Sequence, residues 1–224
     1  RDLAVALKKL RRLGREDVEP ELDVDASIDA TCRNAGDLTL AFEPPRKNQA
    51  RVLLLMDVGG SMDPHAHRVE KLFSAASGLG HWRAFESLCF HNCPYESLWS
   101  SAWHNESKPT ADILTELPPE TFLVIVGDAS MAPSELTDAG GAIDYWHRNE
   151  TPGLVWLHRM RSRFKRAIWL NPLPKRWWNG YSTDLIRMLF PMFPLTVSGL
   201  EDAVDVLVKG KPDPIPELDP RWFR

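Results

Sequence analysis

The chain has 224 residues and a formal net charge of −4, from 27 Lys and Arg against 31 Asp and Glu. A net acidic chain has no overall attraction to nucleic acid or to anionic lipid, so we expect neither as a partner. Its three cysteines are too few for a disulfide framework, which favours a reducing compartment. Since no apolar stretch reaches the roughly 18 to 20 residues that span a bilayer, we expect a cytoplasmic protein without a membrane span.

Residues 1–50 are predicted to form an N-terminal extension of helices and an edge strand. The spacing of apolar residues in "RDLAVALKKLRRLG" predicts a helix that ends at Gly14, and residues 23–36 predict a second helix. The alternation in "DLTLAFEPP" predicts an edge strand that ends at the two prolines. Because the chain begins with Arg, we interpret this extension as the end of a truncated upstream region.

From residue 51 apolar runs alternate with amphipathic segments. The predicted strands cover residues 51–57, 85–91, 96–101, 121–128, 166–171 and 193–197. The predicted helices cover residues 67–80, 111–117, 183–190 and 200–208. Near-continuous apolar runs between helices are typical of parallel strands, so the pattern predicts a doubly wound α/β fold: a mainly parallel central sheet with helices on both faces. We place this domain at residues 51–210, followed by a C-terminal tail at 211–224.

Two of the predicted strands end in a carboxylate, at Asp57 and at Asp128. Parallel strands bring their carboxyl ends to one edge of a sheet, where open α/β sheets bind ligands. Gly59 and Gly60 allow a tight turn after the first carboxylate. We therefore expect both carboxylates to face one crevice.

Two hydroxyl residues complete a candidate metal site. Ser61 follows the two glycines, and Thr110 lies at the predicted start of a helix between the two strands that end in Asp. Asp57, Ser61, Thr110 and Asp128 offer only oxygen ligands, and a hard cation such as Mg²⁺ or Mn²⁺ prefers such a set. The residues thus predict a Mg²⁺ site.

This arrangement resembles the metal-ion-dependent adhesion site (MIDAS) of the von Willebrand factor A (VWA) fold, which is Rossmann-like. The resemblance is carried by strand-Asp-x-Gly-Gly-Ser-Met, a hydroxyl residue before a helix, and strand-Gly-Asp. The segments "AIWLNPLPKRWW" and "LRRLG" are similar to the CoxE-like bacterial branch, so the resemblance covers about residues 1 to 210. It implies a metal-dependent protein–protein interaction module that works with a MoxR-type AAA+ ATPase, or with its client, in maturation or assembly of another protein.

The chain departs from the family pattern at one position. The family has Asp-x-Ser-x-Ser, and Gly59 stands at the first serine, so one hydroxyl ligand is missing. The resemblance therefore implies weak metal binding or none, with water in place of the hydroxyl. On the same ground, a serine at position 59 is expected to strengthen metal binding.

An alternative function is that of a Mg²⁺-dependent hydrolase or phosphatase, since two strand-end aspartates with Mg²⁺ also serve phosphoryl transfer. The sequence shows no Asp-x-Asp nucleophile pattern, no P-loop and no recognisable Ser/His/Asp or Cys/His set. We therefore favour a binding module over an enzyme and expect no catalytic residue.

Two further segments suggest other sites. "CFHNC" places Cys89, His91 and Cys93 at alternate positions, which on a strand share one face and suit zinc ligands, but core packing is the preferred interpretation. "HRMRSRFKR" carries six basic side chains and offers a surface for an acidic protein partner, formed by Arg159, Arg161, Arg163 and Lys165. Exposed tryptophans in "KRWWNGY" could also anchor a partner.

Overall fold

The structure is a computed structural model, and it describes residues 20–43, 50–79, 82–102, 106–143, 148–209 and 214–218. The helix predicted over residues 1–14 lies outside the described residues. The predicted end of the edge strand at Pro44 and Pro45 lies outside them too.

Residues 20–43 form a small unit with its own two-stranded sheet. Strands β1 (Glu21–Asp23) and β2 (Ala41–Glu43) pair antiparallel on either side of helix α1 (Val24–Arg33). Asp23 caps this helix, because its Oδ1 accepts a hydrogen bond of 2.9 Å from the backbone amide of Ala26. The predicted edge strand is thus present only in part, and it pairs with β1 instead of joining the central sheet.

The remaining strands form one seven-stranded sheet in the order β6-β5-β4-β3-β7-β8-β9. Its strands are β3 (Arg51–Asp57), β4 (Ala84–Phe90), β5 (Ser97–Trp99), β6 (Ser107–Pro109), β7 (Phe122–Val126), β8 (Arg166–Asn171) and β9 (Met192–Pro194). The helices are α2 (Ala66–Ser77), α3 (Thr110–Glu116), α4 (Pro133–Thr137), α5 (Gly153–Arg163), α6 (Tyr181–Leu189) and α7 (Val197–Lys209). Two short 3-10 helices cover Gly60–His65 and Lys175–Trp177.

Five neighbouring strands run parallel, in the order β4, β3, β7, β8 and β9 across the sheet. On the outer side of β4, β5 is antiparallel to β4 and β6 is antiparallel to β5. The chain runs outward from β3 to β4 on one side and then returns to β7 on the other side of β3. This is a doubly wound, Rossmann-like α/β fold, as the sequence predicts. The reversal of strand order falls between β3 and β7, which is where such sheets bind ligands.

Helices cover both faces of the sheet because its inner strands are apolar on both sides. Along β3, Leu53 and Leu55 belong to one core cluster, whereas Val52 and Leu54 belong to the other. The first cluster includes residues of α3, α5 and α6, and the second includes residues of α2 and α7. Because side chains alternate along a strand, Asp57 lies on the same face of the sheet as Leu53 and Leu55. This is the face that α3, α5 and α6 cover.

Several short elements were not predicted from the sequence, among them β1, β6, the two 3-10 helices and α4. The loop after β3 forms a 3-10 helix that contains Asp63, so this residue does not cap α2, which has His65 at its N-cap without a side-chain hydrogen bond. Helix α4 has only five residues, too few to show an apolar period. Among the described residues, no helix is both long and apolar enough to cross a membrane.

Candidate metal centre

Asp57 is the last residue of β3, and its side chain is only 3% exposed. Its Oδ1 accepts two backbone hydrogen bonds, one of 2.8 Å from Gly59 and one of 2.9 Å from Asn92. The first bond closes the turn after β3, and the second joins that turn to the loop after β4. Both bonds fix the orientation of the carboxylate.

Asp128 lies two residues beyond β7 and is 4% exposed. Its Oδ1 accepts a hydrogen bond of 2.9 Å from the backbone amide of Ser130. The buried side chain of Asn171, at the end of β8, donates a bond of 2.7 Å to the main-chain carbonyl of Asp128. The following residue, Ala129, has a left-handed φ of 58°, and its carbonyl accepts a bond of 2.9 Å from the Thr183 hydroxyl. Neighbouring elements therefore hold the backbone that carries this carboxylate.

The two carboxylates lie side by side at the carboxyl edge of the sheet. The parallel pairing of β3 and β7 brings their ends together, with Met56 opposite Val126. Between them lies Gly127, where an added β-carbon would be 3.3 Å from Asp57 Oδ2. In the described part of the chain, no hydrogen-bond donor reaches Oδ2 of Asp57 or Oδ2 of Asp128. Each carboxylate therefore has one anchored oxygen and one oxygen available to a ligand.

Glu135 adds a third buried carboxylate nearby. It is 2% exposed, and its oxygens accept hydrogen bonds from the backbone amides of Ala132 and Ile143 and from the side-chain amide of Asn92. Asn92 thus bridges two acids, since its backbone amide bonds Asp57 and its side-chain amide bonds Glu135. Both oxygens of Glu135 are satisfied, so its role is to support the site.

The negative charge of this cluster is not balanced within the part of the chain that the structure describes, where no ion pair involves Asp57, Asp128 or Glu135. The pKa of Asp57 is raised from 3.8 to about 7, with burial as the largest cause. The negative charges of Asp128 and Glu135 also raise this pKa, while the hydrogen bonds from the amides of Gly59 and Asn92 oppose the increase. A buried carboxylate without a basic partner is costly when it is ionised, and a bound cation would remove that cost.

The two predicted hydroxyl residues lie in different surroundings. Ser61 is exposed on the 3-10 helix that follows Gly59, at the same edge of the sheet as Asp57. Thr110 is buried at the start of α3, and its hydroxyl donates to the carbonyl of Tyr95. The Tyr95 hydroxyl in turn donates to the main-chain carbonyl of Glu135 at 3.4 Å, so these bonds tie Thr110 to the backbone of neighbouring loops and not to a carboxylate. The assignment of both hydroxyls as metal ligands stays a prediction.

The loop glycines differ in how much room surrounds them. A β-carbon at Gly60 would meet no atom within 4 Å, whereas a β-carbon at Gly59 would overlap Oδ1 of Asn92. A serine at position 59 therefore cannot be added without moving Asn92. That this substitution strengthens metal binding stays a prediction.

An open cavity of about 390 Å³ adjoins Asp57 on the side of α2. Its lining combines apolar and polar side chains, among them Met62, Val69, Phe73, Asp63 and Ser87. The cavity leaves space at the end of β3, on the face of the sheet that α2 covers.

The "CFHNC" segment packs into the core. Cys89 and Cys93 are 4% and 1% exposed. Burial raises the pKa of Cys89 to about 11, and burial together with the charges of Glu135 and Asp57 raises the pKa of Cys93 well above its usual value. Both thiols are therefore protonated at neutral pH, which supports the interpretation of the segment as core packing.

The predicted basic surface needs correction at Arg161. This residue is 3% exposed, and its guanidinium donates to the carbonyls of Leu189 and Lys165. Arg163 is half-buried and donates to the carbonyl of Leu117. Because the apolar stripe of α5 packs on the sheet, only Arg159 and Lys165 of the four predicted residues are exposed.

Three residues of the site were not found from the sequence: Asn92, Glu135 and Asn171. Asn171 ends a predicted strand, which is the same signal that identified the two aspartates. Glu135 lies three residues after Ala132 and two after a proline, a pattern typical of a helix start. Asn92 has no sequence signal beyond the tolerance of asparagine for left-handed backbone.

The residues present fit a hard divalent cation, since Asp57 and Asp128 offer two buried carboxylate oxygens without donors. Among the described residues, no group of three or more His, Cys, Asp or Glu side chains is placed to hold a metal ion. A cation here would therefore depend on two carboxylates, neutral oxygens and water, a set that Mg²⁺ accepts.

No family model, curated protein or solved structure matches the chain.

Proposed function

We propose that this protein is a MIDAS-like, VWA-type interaction module that binds a protein partner through a divalent cation. Asp57 and Asp128 hold Mg²⁺ or Mn²⁺ at the carboxyl edge of the sheet, with Ser61 and Thr110 as neutral ligands. An acidic side chain of the partner completes the coordination shell, so partner binding depends on the cation.

The observation that supports this proposal best is the pair of buried carboxylates at the reversal of strand order. Each has one oxygen held by backbone amides, as oriented metal ligands do, and one oxygen without a donor in the described part of the chain. The charge of the cluster has no basic partner among the described residues, which favours a cation over an anionic ligand. The cavity at the end of β3 gives room for part of the partner at the same edge of the sheet.

The identity of the partner rests on the sequence resemblance. It implies a cytoplasmic complex with a MoxR-type AAA+ ATPase, or with the client that such an ATPase matures or assembles. The exposed side chains of Arg159 and Lys165 offer a second contact to an acidic surface, whereas Arg161 and Arg163 serve the packing of α5.

Capture of partners from the source lysate tests the proposal. The immobilised protein is compared with Asp57→Asn, which keeps the accepting Oδ1 and removes the charge, and with Asp112→Ala, which removes an exposed carboxylate from α3. We expect an AAA+ ATPase or its client to be retained in Mg²⁺ by the wild type and by Asp112→Ala. We expect the same protein to be lost with chelator or with Asp57→Asn.

If the partner is retained in the presence of chelator and also by Asp57→Asn, the binding surface lies elsewhere on the protein.

The same proteins can be incubated with Mn²⁺ and generic phosphoesters. Turnover that disappears in Asp57→Asn would replace the proposal by the hydrolase alternative.

A further inference from the structure

The geometry points to Asn92 as the residue that replaces the hydroxyl missing at position 59, with its side-chain Oδ1 as a neutral ligand of the cation. This inference rests on the proposed metal site and adds a ligand to it. It also gives Gly59 a role, because only a residue without a β-carbon leaves room for the Asn92 side chain. The glycine at position 59 is then more than the absence of a hydroxyl ligand.

The position of the Asn92 side chain supports this role. A β-carbon built on Gly59 would overlap Asn92 Oδ1, so this oxygen occupies the space in which a side chain at position 59 would begin. The same β-carbon would lie 3.2 Å from Asp57 Oδ1, so the amide oxygen is beside the carboxylate that ends β3. An oxygen from the loop after β4 thus fills the place of the absent serine.

The orientation of the Asn92 amide is fixed by Glu135. Asn92 Nδ2 donates a hydrogen bond of 3.0 Å to Glu135 Oε1, and only the nitrogen of an amide can donate to a carboxylate. Oδ1 must therefore face the other way, toward Gly59. In the described residues, no donor reaches Oδ1, so its lone pairs are available.

The backbone conformation of Asn92 suits the same role. Asn92 has a left-handed φ of 58° and lies between His91 and Cys93, which form an isolated antiparallel bridge. Asparagine is one of the few residues with a side chain that adopts this conformation readily. The same conformation lets the backbone amide of Asn92 bond Asp57 while its side chain lies over Gly59. One residue thereby orients a carboxylate ligand and presents a carbonyl oxygen, a ligand type that hard cations accept.

Calorimetric titration of Mn²⁺ and Mg²⁺ tests the inference with a set of matched variants. Asn92→Gly removes the side-chain amide and keeps the backbone conformation. Gly59→Ser adds the hydroxyl that the family pattern has at this position, while the Asn92 side chain is still present. The double variant Gly59→Ser/Asn92→Gly exchanges the two groups, and Gly60→Ala is the control because its β-carbon meets nothing. Thermal unfolding in chelator establishes that each variant is folded.

We expect Asn92→Gly and Gly59→Ser each to bind Mn²⁺ about tenfold more weakly than the wild type. The double variant should recover most of that loss, and the control Gly60→Ala should match the wild type. A fifth variant, Asn92→Asp, separates the role of a ligand from a merely structural role. In Asn92→Asp the metal-free protein should be less stable, because a charge is added beside Asp57 and Glu135, yet it should bind Mn²⁺ more tightly. A structural role alone would lower both quantities.

The outcomes separate this inference from the proposed function. If Asp57→Asn abolishes metal binding while Asn92→Gly and Asn92→Asp leave it unchanged, the role of Asn92 is refuted and the metal site stands. If the wild type binds neither ion, or if Asp57→Asn has no effect, the metal site and the role of Asn92 both fail.

Discussion

Gly127 and Asp57 are in such close contact that a β-carbon on the glycine would lie 3.2 Å from Asp57 Cβ. The same β-carbon would lie 3.1 Å from the ring of Trp169, whose indole nitrogen donates a bond of 2.7 Å to the Gly127 carbonyl. Glycine at this position therefore lets the ends of β3 and β7 approach, and it sets the spacing of the two carboxylates.

Gly127→Ala should destabilise the protein by about 1 to 3 kcal/mol, because the added methyl group must displace Asp57 or a buried tryptophan. It should also weaken Mn²⁺ binding by moving a ligand. Urea unfolding and Mn²⁺ titration measure the two effects, and Gly60→Ala is the matched control with open space around the new methyl group. Equal stability of the two variants would show that the contact is not tight.

The raised pKa of Asp57 makes the stability of the metal-free protein fall as the pH rises. Its pKa is about 7 in the folded state, against 3.8 for an unperturbed aspartate, so between these values the folded state binds a proton that the unfolded state has released. This contribution is fully present below pH 3.8 and is lost as the pH passes through about 7.

Asp57→Asn removes this titration and isolates it from the other acids. Relative to the wild type in chelator, the variant should gain about 3 kcal/mol of stability between pH 5 and pH 8, from urea unfolding at both pH values. A difference between the two proteins that does not change with pH would contradict the burial of an uncompensated Asp57.

Arg161→Ala should destabilise the protein by about 2 to 3 kcal/mol, because the buried carbonyl of Leu189 loses its donor. Arg159→Ala, on the exposed side of the same helix, removes the contact of its guanidinium with the Trp156 ring, so it should change the stability by less than about 1 kcal/mol. Urea unfolding compares the two variants. The reverse order would show that Arg161 is not a packing residue.

Asn171→Ala should weaken Mn²⁺ binding about tenfold although Asn171 offers no ligand, because its amide holds the carbonyl of Asp128. Its Oδ1 also accepts a hydrogen bond of 2.8 Å from the amide of Leu173. Asn171→Asp keeps that acceptor and loses the donor to Asp128, so it should weaken binding as well. Mn²⁺ titration of both variants measures the effect, and unchanged affinity in both would show that Asp128 is held by its own turn alone.

The sequence predicted the architecture well because burial on both faces leaves a strong apolar pattern. Strands β3 and β8 have the predicted bounds, Arg51–Asp57 and Arg166–Asn171. The positions of Asp57 and Asp128 on one edge follow from parallel pairing, which the same pattern predicts. The alternation that predicted an edge strand is confirmed only in part, at β2, and the short helix α4 has too few residues to show a period.

The parts of the site that the sequence did not predict depend on contacts between distant residues. Asn92 bonds a carboxylate 35 residues earlier in the chain and another 43 residues later. Arg161 is buried because the end of α6 supplies a carbonyl to its guanidinium. A charged or amide side chain in a loop or on a helix gives no sign of such a partner, so its burial became visible only in the folded structure.

The most direct test of the proposed metal site is calorimetric titration of Mn²⁺ into the wild type, Asp57→Asn and Asp112→Ala at pH 8. At this pH Asp57 is ionised, because its pKa is about 7. We expect one bound Mn²⁺ per chain for the wild type and for Asp112→Ala, and at least about tenfold weaker binding for Asp57→Asn. Equal binding by all three proteins, or no binding by the wild type, would contradict a metal site at the carboxyl edge of the sheet.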